Sequence, residues 1–127
     1  MNLNEYKERL TILLEQEVIT DKSSDVALQA FKELLKILNT TELDQAEMLF
    51  THLPMALTRM SNGENVEGPA KEIVNEIYDS PHFLIAKTQV EWIEENWNHL
   101  LPQEEKDYLY MHYSTVLTIN VQGGVKR

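Results

Sequence analysis

Residues 42–61 read Glu42-Leu43-Asp44-Gln45-Ala46-Glu47-Met48-Leu49-Phe50-Thr51-His52-Leu53-Pro54-Met55-Ala56-Leu57-Thr58-Arg59-Met60-Ser61. Leu43, Ala46, Leu49/Phe50, Leu53, Ala56/Leu57 and Met60 recur at intervals of three and four, the period of a helix with one buried face. The spacing predicts a helix over Glu42–Ser61. Thr40-Thr41 can cap its start, and Asn62-Gly63 can supply the left-handed backbone that ends it. Pro54 conflicts with this pattern. Inside a helix it removes one backbone hydrogen bond and should kink the chain next to His52.

The same period continues on both sides. Leu3, Tyr6, Leu10, Leu13 and Leu14 mark a helix over Leu3–Ile19, which should stop at Thr20-Asp21. Ser23 or Ser24 can cap a second, Ser24–Asn39, with the stripe Leu28, Phe31, Leu34, Leu35 and Leu38. Gly68-Pro69 and Ser80-Pro81 each place a proline in a first helical turn, opening Pro69–Asp79 and Pro81–Trp97. Pro102 opens Gln103–Ile119, where Glu104 and Glu105 suit the positive end of the helix dipole. Within it, Thr115-Val116-Leu117-Thr118-Ile119 is β-branched enough to be either the end of a buried helix or a short extended segment. These segments cover far more of the chain than the usual third, so the expected class is all-α, a compact antiparallel helical bundle. Residues 121–127 are expected to form a flexible tail.

Composition narrows function mainly by exclusion. At 127 residues the chain should form one domain with a core large enough to need no staples. With 21 acidic against 11 basic residues, its net charge of −10 opposes phosphate backbones and anionic membranes, so neither direct nucleic-acid nor membrane binding is expected. Cysteine is absent, which removes disulfides, thiolate nucleophiles and thiolate metal sites. The N-terminal residues lack a signal-peptide pattern and no apolar run is long enough for a membrane helix, so a cytoplasmic protein is expected. No nucleophile elbow or phosphate-cradling glycine loop occurs, and the pairs Glu94-Glu95 and Glu104-Glu105 point different ways around their helices. Enzyme activity and a resident cofactor are therefore not expected.

Four histidines remain. His82 lies in a first turn, where a cation opposes the dipole, and His99 lies in a loop; both read as ordinary surface residues. No metal-ligand spacing connects any of them. His52 and His112 differ, because each sits inside a helix at the edge of an apolar seam. Seven residues make almost two turns, so His52 shares a face with Arg59, and Glu105 shares one with His112. Taken alone, two hydrogen-bonded histidines in a helical core explain the pattern well.

At these residues the chain resembles the PTS regulation domains. His52-Leu53-Pro54-Met55-Ala56-Leu57-Thr58-Arg59 looks like that family's His-aliphatic-x-x-Ala-aliphatic-x-Arg motif. Glu105-Lys106-Asp107-Tyr108-Leu109-Tyr110-Met111-His112 looks like its Glu-x-x-Tyr-aliphatic-x-aliphatic-His motif. The likeness spans about Ser24 to Ile119. It implies a stand-alone regulatory module of bacterial sugar metabolism, with a five-helix core at residues 23–120 and an additional N-terminal helix within residues 1–22. His52 and His112 are the implied phosphoacceptors, Arg59 and Glu105 the charged positions. The implied partners are the histidine phosphocarrier protein or a sugar-specific enzyme II component, with self-association into a homodimer. Thr51 stands where an acidic residue often precedes the first histidine, and an RNA- or DNA-binding module beside the domain is not expected.

If the third and sixth helices pack antiparallel, their matched offsets bring His52 to His112 and Arg59 to Glu105, an ion pair that would fix the register. Phosphorylation of so acidic a chain should then shift a packing or dimer equilibrium. A protein-interaction subunit with unmodified histidines, or a small metal- or ligand-binding helical protein, are the competing expectations.

Overall fold

Helices form close to where the apolar period puts them, and polar contacts fix some of their ends. The computed structural model describes residues 1–64 and 68–125, residues 122–125 by their backbone alone. Its elements are α1 (Leu3–Glu15), α2 (Asp21–Leu38), α3 (Glu47–Ser61), α4 (Lys71–Tyr78), α5 (Phe83–Trp97) and α6 (Gln103–Val125), with no strand among the described residues. The fold is all-α, as the sequence implies. No helix among these residues is long and apolar enough to cross a membrane.

Side-chain caps set the starts of α1 and α2. Asn2 and Glu5 form a reciprocal capping box at the start of α1, with bonds of 2.9 and 2.8 Å. That helix stops at Glu15, short of the expected Ile19, because Glu17 turns left-handed (φ 60°) and returns Ile19 to the core. Thr20, rather than Ser23 or Ser24, caps α2 by accepting the Ser23 amide at 3.1 Å. At the other end of α2, Asn39 takes the left-handed position (φ 52°).

The largest departure from expectation lies before α3. This helix starts at Glu47, not Glu42, because Gln45 is left-handed (φ 53°) and the preceding segment is held open from two sides. The Met1 ammonium donates to the Leu43 carbonyl at 2.6 Å, and the Leu43 amide donates back to the Met1 carbonyl at 3.0 Å. Asn120 of α6 reads the Asp44 backbone, accepting its amide at 2.8 Å and donating to its carbonyl at 3.0 Å. Leu43 and Ala46 are still fully buried. The apolar pattern therefore reported burial correctly and backbone conformation incorrectly. At the chain's other end, 115–119 is helical and α6 runs past Ile119 to Val125. Thr115 and Thr118 donate their hydroxyls back to the Met111 and Ser114 carbonyls, which suits a helix interior. Residues 126 and 127 of the expected tail lie outside the described residues.

The core is aromatic where α1, α2, α3 and α6 meet. Tyr6 stacks on Phe31 at 4.7 Å between ring centroids, and Phe50 meets Phe31 edge-on at 4.9 Å and Tyr113 at 6.4 Å. Pro54 lies in the middle of α3, and the helix runs through it without a break. Lacking an amide hydrogen, Pro54 leaves the Phe50 carbonyl without its helical donor. The Tyr6 hydroxyl, itself buried, supplies the missing bond at 2.8 Å. Burial pushes the Tyr6 pKa well above the ordinary value, so the hydroxyl keeps the proton it donates.

Removing that hydroxyl isolates its contribution. Tyr6→Phe should destabilise the fold by about 1–3 kcal/mol, because it strands a buried acceptor. The same substitution should cost clearly less in a Pro54→Ala background, where the restored amide can bond the Phe50 carbonyl. Urea denaturation of the four chains of this double-mutant cycle checks both expectations.

Candidate functional site

Packing of α3 against α6 creates one polar cluster beside the aromatic core. His52 comes from the first half of α3. Facing it, α6 presents Glu105, Tyr108 and His112, whose spacings of three, four and seven put them on one helix face. His52 Nε2 meets Glu105 Oε1 at 2.8 Å. The His52 ring stacks on Tyr108 with centroids 4.9 Å apart and planes 15° apart. His112 completes a triangle of rings, 5.2 Å from both His52 and Tyr108.

Burial differs sharply across this cluster. The Glu105 side chain is fully enclosed, while that of His52 keeps 16% of its surface exposed. His112 is partly buried and borders a groove with Met48, Leu49, Met111 and Val116, to which Glu47 adds a negative rim. Met48 stands largely in solvent at its mouth.

Electrostatics set the two imidazoles apart. Glu105 sits in the first turn of α6, where the helix dipole favours a carboxylate. A carboxylate can only accept, so the proton of this hydrogen bond belongs to His52 Nε2, and in the neutral ring the lone pair is left on Nδ1. The other Glu105 oxygen, Oε2, is buried without a partner. His112 has no carboxylate partner among the described ion pairs. Burial, then the neighbouring His52, lower its pKa from 6.5 to about 4, so it is a neutral base at physiological pH. The arrangement thus offers two nitrogen lone pairs on adjacent rings, a chemistry suited to accepting an electrophilic group.

Of the residues singled out in the sequence, His52, His112 and Glu105 come together. Arg59 does not join them. Among the described residues the ion pair to Glu105 comes from His52, and the anticipated Arg59–Glu105 pair does not form. Arg59 lies in the last turn of α3, where a cation suits the negative end of the dipole. His82 occupies the N-cap position of α5 without a side-chain cap bond, and exposed His99 lies edge-on to Trp97 at 6.2 Å. Tyr108 is the site residue that spacing could have identified, three positions after Glu105 and four before His112. Among the described residues no group of three or more His, Asp and Glu side chains could hold a metal ion.

The low pKa of His112 fixes a direction for pH dependence. Below 6.5 the unfolded chain protonates at this position, whereas the folded chain resists until about 4. The unfolded state then binds more protons, so stability from this group is intact above pH 6.5 and falls as pH drops toward 4. An NMR titration should place the His112 midpoint near 4, and His112→Phe should flatten the stability profile across that interval.

A comparison with protein-family models finds the PRD domain, matched by residues 25–116. That span takes in all of α3 with His52 and the part of α6 carrying Glu105, Tyr108 and His112. Searches of curated proteins and of solved structures find no match. With most of its length and the whole histidine cluster inside the matched span, the chain belongs to the PRD domain family.

Proposed function

We propose that this PRD domain is a stand-alone, phosphorylation-responsive module regulating bacterial sugar metabolism, with His52 and His112 as its phosphoacceptors. The observation carrying this reading is the meeting of two imidazoles from distant parts of the sequence, 5.2 Å apart and both open in part to solvent. Each ring keeps a nitrogen lone pair, the nucleophile that phosphoryl transfer needs. The donor is the histidine phosphocarrier protein or a sugar-specific enzyme II component, acting in the cytoplasm. The module is substrate and switch, not an enzyme, and residues 23–120 are its regulatory core with α1 as an addition.

Phosphorylation works through repulsion. A phosphoryl group brings about −1.5 to −2 charges. Here it enters a chain of net charge −10, beside the enclosed carboxylate of Glu105. No described ion pair places Lys or Arg against the cluster. The added charge therefore favours an arrangement in which α3 and α6 separate locally or pack differently, and self-association into a homodimer is the equilibrium that reads it out.

Incubation with phosphoenolpyruvate, enzyme I and the phosphocarrier, followed by peptide mapping under conditions that keep phosphohistidine intact, tests the assignment. Phosphate should appear on His52 or His112 and vanish in the His52→Ala/His112→Ala chain, and sedimentation should show a changed monomer–dimer balance. Phosphate on neither residue overturns the reading.

A further inference from the structure

Resting on the phosphoacceptor reading above, we propose that Glu105 is a positioning residue that holds His52 as its Nε2–H form and directs phosphoryl transfer to Nδ1. Three observations carry this. The 2.8 Å contact joins Nε2, not Nδ1, to the carboxylate. Glu105 is completely enclosed and comes from the start of a helix, so its side chain has little freedom to reach another nitrogen. No hydrogen bond among the described residues engages Nδ1, while the ring is clamped flat against Tyr108. The nitrogen that faces a carboxylate carries the proton and leaves the lone pair on the other, and here that contact is fixed by packing.

The Nδ1 lone pair attacks phosphorus of an N-phosphoryl donor, a phosphohistidine on the incoming protein. A bond forms between Nδ1 and phosphorus as the bond between phosphorus and the donor nitrogen breaks. The electron pair stays with the donor imidazole, which takes a proton from water. Attack leaves the His52 ring cationic, with its proton still on Nε2 and facing the Glu105 carboxylate. A carboxylate in that place both orients an imidazole and stabilises the imidazolium as it develops, the part played by the aspartate of hydrolase triads. His112 has no carboxylate partner among the described ion pairs, so the inference applies to His52 alone.

The position of phosphorus on the ring is the deciding measurement. The probe is potassium phosphoramidate, which needs no protein donor, applied to the full chain carrying His112→Ala and 15N-labelled histidine. Phosphorus–nitrogen coupling should place the phosphoryl group of His52 on Nδ1. In Glu105→Leu/His112→Ala, which has no acceptor at position 105, it should move to Nε2 or to a mixture, with uptake about 10²-fold slower. A merely structural carboxylate would alter the rate without moving the phosphorus. Phosphate on Nε2 in the chain that retains Glu105, or no uptake at His52, overturns the proposal. If the leucine chain does not fold by circular dichroism, the ring position in the chain with Glu105 decides alone. Failure of the phosphocarrier to label the protein, with Nδ1 modified by phosphoramidate, sinks the regulatory reading and leaves the positioning role standing.

Discussion

One missing hydrogen governs how this molecule is assembled. Pro54 deprives α3 of an amide, and the Phe50 carbonyl it abandons lies deep in the aromatic core, where an unmatched acceptor is costly. The Tyr6 hydroxyl provides the match, delivered from α1. That is why α1 belongs to the same core as the rest: its ring stacks on Phe31 while its hydroxyl repairs α3. The same repair fixes the backbone between Phe50 and Pro54, the turn that carries His52. Architecture and candidate site thus share a single polar contact.

Glu105 is the second constraint, and stability alone does not account for it. An enclosed carboxylate loses hydration worth several kcal/mol, and one good hydrogen bond with a favourable helix dipole recovers only part of that. Its second oxygen has no partner. Replacing such pairs with apolar residues commonly leaves folds as stable or more so, whereas removing one partner costs about 3–5 kcal/mol. A buried, incompletely satisfied charge aimed at one imidazole is therefore more readily understood through what it does to that imidazole than through any gain in folding.

Much of this was legible in the sequence, and the misses share a cause. Periodicity and turn signals located all six helices, and the stripe around α3, including Leu43 and Ala46, is buried because burial depends on side-chain spacing; in α2 the stripe missed the buried Val26, Ala27 and Ala30. Periodicity misplaced the start of α3 because Leu43 is held by the Met1 backbone and Asp44 by Asn120, partners 42 and 76 residues away. It also paired Glu105 with Arg59, since spacing along a helix records angle but not how far α3 slides against α6. His52 and His112 did converge, as matched offsets suggested. Spacing alone puts Tyr108 on one helix face with Glu105 and His112, but only the opposing helix brings its ring against His52.

Convergence has not made the two histidines equivalent. One faces a carboxylate that fixes its proton; the other borders an apolar groove and stays neutral because burial and its neighbour both oppose a charge. Their rings are close enough that a charge on either is felt by the other at short range, where screening by salt is weakest. A group accepted by either imidazole would therefore enter unlike surroundings, an enclosed carboxylate at His52 and an apolar groove at His112, although the two rings lie side by side.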